Sequence, residues 1–118
     1  MPEIAFAMPI PDDKVEAVRS TAAATRAAIE PYTESHKQFG FKKVRWWLQR
    51  TSRGWLLIFY VEADDLGDAY AKLRSSDAAI DIWLKRVAAD VIGPDADSLY
   101  EFPQSEDLGL VFSWEQET

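Results

Sequence analysis

The chain contains no cysteine and one histidine. Without thiols there can be no disulfide, no thiolate nucleophile and no cysteine-ligated zinc site. Any imidazole chemistry falls on His36 alone. Positive charge is also in short supply. Lys and Arg number 13 against 20 Asp and Glu, a formal net charge of −7 at pH 7. Nucleic acid and anionic membrane surfaces favour basic patches, so neither is an expected partner. No apolar run approaches the roughly 18 residues that cross a bilayer. The N-terminus carries no basic stretch leading into an apolar one, and the expected location is cytoplasmic. Glycine is sparse, at five, and none lies in a phosphate-binding loop or a nucleophile elbow. No cofactor is expected. The carboxylates Asp64-Asp65, Asp95 with Asp97, and Glu106-Asp107 fit helix caps and solvated loops and match no calcium or two-metal spacing, so no metal is expected.

What the chain does have is aromatic and apolar material for one core. It is 118 residues long, 47 % hydrophobic, with five tryptophans. That length fits a single domain over 1–118 and buries roughly 60–70 % of the unfolded surface. The clearest stretch runs from Phe41 to Glu62: FKKVRWWLQR, TSRG, WLLIFYVE. Its β-branched and aromatic residues favour a pleated sheet, and Thr51-Ser52-Arg53-Gly54 supplies turn chemistry. The period of two sorts the hairpin into faces. One is purely apolar: Val44, Trp46 and Leu48 with Trp55, Leu57, Phe59 and Val61. The other mixes Lys43, Arg45, Trp47 and Gln49 with Leu56, Ile58, Tyr60 and Glu62.

Around the hairpin the pattern alternates between strand and helix. Ile4–Ile10 alternates bulky Ile4, Phe6, Met8 and Ile10 with Ala5, Ala7 and Pro9, a first strand. Asp12 or Asp13 offers an N-cap to an amphipathic helix marked by Val15, Val18, Ala22, Thr25 and Ile29. Pro31 should kink or break that helix, its stripe continues to His36, and Gly40 ends it. After the hairpin, Asp64-Asp65 caps a helix with the stripe Leu66, Ala69, Tyr70 and Leu73. Ser75-Ser76-Asp77 caps another, carrying Ile80, Trp83, Leu84, Val87, Ala88 and Val91 up to Gly93-Pro94. Residues 94–107 read as a loop, and Leu108–Trp114 as a last strand with Leu110, Phe112 and Trp114 facing the core.

The order β-α-β-β-α-α-β is that of an α+β, ferredoxin-like split βαβ sandwich. Right-handed crossovers place the helices on one face of a four-stranded antiparallel sheet. The mixed face is then left uncovered, with Trp47, Leu56, Ile58, Tyr60 and Val111 on it. Large aromatics bury about 150–250 Å² each, and monomers seldom expose more than a few hundred Å² in one patch. A homodimer packed sheet to sheet is the expected solution.

The order, the length and the uncovered face resemble the dimeric α/β-barrel group of ferredoxin-like proteins. Within that group the chain is similar to a bacterial family of domains of unknown function. The pieces that carry the likeness are LQRTSRGWLLIFYVEA (48–63) and SSDAAIDIWLK, opening the run from residue 75 to residue 95. The resemblance covers about the middle half of the chain. The wider group includes cofactor-free monooxygenases, small isomerases and heme- or chlorite-processing enzymes. It implies a cavity between the sheets and no particular chemistry, and no stretch here matches a catalytic motif of those enzymes.

Two functional readings follow. In the first, the protein binds a small organic ligand, aromatic or acidic, and acts as a cofactor-independent monooxygenase or isomerase. His36 and Tyr60 are then the acid/base candidates, and Arg45, Trp47, Gln49, Ile58, Tyr60 and Glu62 line the ligand. In the second, it is a non-catalytic dimerisation or binding module, and those same residues are packed interface, where Trp, Tyr and Arg are enriched in any case. His36 has an equally plain reading as a half-buried histidine near a helix C-terminus. Arg45 and Glu62 fit a cross-strand ion pair.

Overall fold

The computed structural model describes residues 3–93 and 112–116. Its elements in chain order are β1 (Glu3–Ile10), a single 3-10 turn (Asp12–Lys14), α1 (Val15–Ala27), α2 (Ile29–Phe39), β2 (Phe41–Thr51), β3 (Gly54–Ala63), α3 (Leu66–Ser75) and α4 (Ala79–Ile92). The three strands form one antiparallel sheet in the order β1-β3-β2. The hairpin strand β3 is therefore central. It pairs Val61 with both Ile4 and Val44, Phe59 with both Phe6 and Trp46, and Leu57 with both Met8 and Leu48.

The expected division of faces holds along all three strands. Ile4, Ile10, Leu57 and Val61 are buried beneath the helices, with Phe6, Met8, Val44, Trp46, Leu48, Trp55 and Phe59 packed beside them. The buried apolar residues fall into two clusters. Ile4, Phe41 and Val61 meet Leu66, Ala69, Tyr70 and Leu73 of α3 at one end of the sheet. Ile10 and Leu57 meet Val15 and Val18 of α1 and Val91 of α4 at the other.

Helix boundaries follow backbone chemistry. A proline has no N–H and its ring crowds the carbonyl four residues back. For Pro31 that carbonyl is Ala27, where α1 ends, and the break falls at Ala28 (φ −108°, ψ 34°). Pro31 itself occupies the first turn of α2, where its missing donor costs nothing. The break shifts the helical phase, so Ile29, expected inward, is half exposed at 50 %. Gly40 closes α2 in the left-handed region at φ 91°. Asp65 caps α3 by accepting from the Asp68 N–H at 3.0 Å. The Asp12–Asp13 cap is not formed: these residues enter the 3-10 turn, and α1 begins without a side-chain cap.

The last strand needs correction. Residues 108–111, including Leu110 and Val111, lie outside the described residues. From 112 to 116 the backbone has no regular structure, and Phe112 and Trp114 are 80 % and 74 % exposed rather than in the core. Alternation tells which side chains share a face, but a strand also needs an edge to pair with. Among the described residues, 112–116 pair with none.

Candidate functional site

The two core clusters leave a seam. Helix α3 covers one end of the sheet and α1 with α4 the other. Between them, against Phe6, Val44, Trp46 and Phe59, lies a partly open cavity of about 80 Å³ bordered by residues of α2, α3 and α4. Its walls are aromatic. Phe6 stacks on Phe59 at 5.1 Å between centroids, Trp46 meets Phe59 edge-on at 6.0 Å, and Tyr70 meets Phe41 at an interplanar angle of 87°. A second pocket of about 60 Å³ and an open groove of about 240 Å³ adjoin it, and all three share Trp46.

A carboxylate and an imidazole line the cavity, Asp81 and His36, together with the polar aromatics Tyr32, Trp46 and Tyr70. Asp81 stands in the first turn of α4, where the helix dipole favours a carboxylate. It has no exposed surface at all. Its Oδ2 accepts from Ser35 Oγ of α2 at 2.5 Å and from Ser76 Oγ at 2.6 Å. Among the described residues its Oδ1 has no hydrogen-bond partner. Ser76, expected as the cap of α4, instead turns its hydroxyl proton to Asp81 while accepting from the Ala78 N–H at 3.2 Å. One turn further, Lys85 Nζ donates to the carbonyls of Leu73, Arg74 and Ser76 at 3.0–3.1 Å. That cation caps the end of α3 and fixes the loop that carries Ser76.

His36 lies in the last turns of α2 and is buried. Its Nδ1 is 3.1 Å from the Tyr32 carbonyl. A carbonyl only accepts, so Nδ1 carries the proton and Nε2 of the neutral ring is an acceptor. The ring stacks on Tyr32 at 3.9 Å and leans on Phe41 at 5.1 Å. Burial pushes its pKa below the ordinary 6.5, against the opposing pull of the Asp81 charge and the Tyr32 carbonyl. At neutral pH the cavity thus presents a neutral imidazole, with Asp81 among its other lining residues.

The remaining candidates lie on the other side of the sheet. The register sets Ala7, Ile58 and Trp47 in one row, Ala5, Tyr60 and Arg45 in the next, and Glu3, Glu62 and Lys43 in a third. Gln49 is opposite Leu56. His36 and Tyr60 therefore cannot act on one molecule within a single chain: the sheet separates them. Tyr60 Oη is 2.5 Å from Glu3 Oε2 and 2.8 Å from Glu62 Oε2. Those two carboxylates hold its proton and raise its pKa well above the ordinary phenol range, which disfavours Tyr60 as a base. The Tyr60 hydroxyl in turn lowers the pKa of Glu62. Glu62 pairs with Lys43, its direct cross-strand neighbour, at 3.3 Å, and not with Arg45, which the register puts opposite Tyr60.

Sequence reasoning missed Asp81, Ser35 and Ser76. A signal was present. Asp81 precedes Leu84, Ala88 and Val91 by three, seven and ten residues, so it shares the apolar stripe of its helix, a position a carboxylate seldom takes without a reason. The serines gave none, because their pairing with Asp81 spans 46 residues in one case. Among the described residues, no three His, Cys, Asp or Glu side chains gather as a metal site. No helix there is long and apolar enough to cross a membrane. No protein-family model matches the chain, and neither a curated protein nor a solved structure does.

Proposed function

We propose that this chain is a small-molecule-binding protein of the dimeric α/β-barrel kind. Its ligand occupies the aromatic cavity between sheet and helices, and its outer sheet face packs against a second copy. The observation that carries the reading is Asp81: a wholly buried side chain among the residues that line a cavity, whose Oδ1 has no hydrogen-bond partner among the described residues. An unpaired buried acceptor costs on the order of 1–3 kcal/mol, and such expense is more often met at functional sites than in plain cores. The neutral His36, which lines the same cavity, adds a proton acceptor, as a cofactor-independent oxygenase or isomerase requires of a base. Tyr60 has no part in this site.

The outer face supports the dimer. Trp47 is 48 % exposed there, in a row with Ile58 and Ala7. A standard interface buries about 800 Å² per partner, a size that one face of a small sheet can supply. A thermal-shift screen of small organic molecules on the wild type and on His36→Ala tests the ligand site. Hits that the variant loses are expected. Identical hit profiles would remove His36 from the site, and the absence of any hit would remove the site.

A further inference from the structure

We propose that the cavity is a receptor for a small organic ammonium, whose N–H bonds Asp81 Oδ1 and whose charge supplies the cation that this carboxylate lacks. The inference rests on the ligand-site reading above and names the chemical class that fits it. Carboxylates almost never lie fully buried unless they are paired. Asp81 is fully buried, and among the described residues no ion pair reaches it. The nearest cation in sequence on its own helix, Lys85, is committed to three backbone carbonyls. Two serine hydroxyls satisfy Oδ2, and Oδ1 is left over.

The wall also includes Trp46, Tyr32 and Tyr70, the two tyrosines already having interactions of their own, while Asp81 and His36 contribute acceptors. Asp81 Oδ1 accepts by its nature. Nε2 of His36 accepts because Nδ1 holds the ring proton against the Tyr32 carbonyl. A guest that brought only acceptors, such as a carboxylate or a ketone, would leave Asp81 Oδ1 and His36 Nε2 unpaired. A primary or secondary ammonium brings two donors and a positive charge. The walls suit the same guest. Trp46, Phe6, Phe59 and Tyr70 line the same cavity as Asp81, and cations are attracted to aromatic faces. Size limits the guest to a head group. A cavity of about 150 Å³ holds benzene, so about 80 Å³ takes the ammonium and its first carbons, and the remaining carbons of a guest such as isobutylamine lie outside it. A longer tail leaves past Trp46 into the adjoining groove.

The test compares isosteres on the full-length protein by isothermal titration calorimetry at pH 7: isobutylamine, isobutanol and isobutyrate. Isobutylamine is expected to bind at least tenfold more tightly than isobutanol, and isobutyrate to give no heat. The Asp81→Asn variant, whose carbonyl oxygen can still accept from Ser35 and Ser76, is expected to lose that preference. Equal affinity for amine and alcohol in the wild type overturns the ammonium assignment while the ligand site stands. So does an Asp81→Asn variant, folded by circular dichroism, that keeps the preference for amine. The wild-type comparison needs no variant to fold. If none of the three binds and xenon under pressure leaves the cavity empty, the ligand site itself fails, which is a separate result.

Discussion

At the level of single residues, Asp81 and His36 make opposite contributions to stability. Asp81 draws α2, the loop after α3 and α4 together through two serine hydroxyls. Ser35→Ala deletes one of them and leaves a buried charge less satisfied. We expect a loss of about 1.5–3 kcal/mol in urea unfolding, the range for hydrogen bonds to charged groups. His36 acts through pH. Its pKa is lower in the fold than its ordinary 6.5, so between the two values the unfolded chain binds more protons. Stability then falls as pH drops below 6.5 toward the folded value, and is unaffected by His36 above it. His36→Leu is expected to flatten that part of the stability profile, as read by urea midpoints between about pH 7 and pH 5. An unchanged slope would mean that His36 is not held neutral. The sequence could single out His36 because it is the only imidazole. It could not show that Asp81, rather than Tyr60, shares its cavity, since that depends on how α2 and α4 cross the sheet.

At the level of elements, the hairpin was readable because alternation and register say the same thing twice. Val44, Trp46 and Leu48 pair with Val61, Phe59 and Leu57, so a slip by one residue would turn an entire apolar row to water. The α2–β2 junction was equally readable from Gly40. A Cβ added there would meet nothing within 4 Å, so the cost of Gly40→Ala is backbone strain at φ 91° alone. About 1 kcal/mol is expected, measured by the same unfolding curve; a neutral effect would place Gly40 in an ordinary conformation. Other boundaries were less legible. Pro31 announced a break, but its position depends on the clash with the Ala27 carbonyl, three residues before the start of the visible signal at Glu30-Pro31-Tyr32. Phe112 and Trp114 alternate as a strand would, yet alternation carries no information about which edge accepts a segment.

At the level of the molecule, the sheet has two jobs, one for each face. The helical face holds the core and the cavity around Trp46, and the outer face carries Trp47, Ile58 and the Tyr60–Glu3–Glu62 group. If the outer face joins two copies, Trp47→Arg should shift the assembly toward monomer while leaving the unfolding free energy of the monomer within about 0.5 kcal/mol, as for a surface substitution. Multi-angle light scattering over a dilution series reads this. A wild type that is monomeric throughout contradicts the dimer. On the proposed reading, the adjacent residues Trp46 and Trp47 would report on separate events, one on ligand and one on partner. Their indole N–H resonances in a two-dimensional ¹H–¹⁵N spectrum, assigned by Trp46→Phe and Trp47→Phe, make the most direct test of the whole account. Titration with isobutylamine is predicted to move the Trp46 resonance and leave Trp47 in place, whereas dilution of the protein moves Trp47. Movement of Trp47 with ligand while Trp46 stays fixed would put the binding site on the outer face and contradict the cavity assignment.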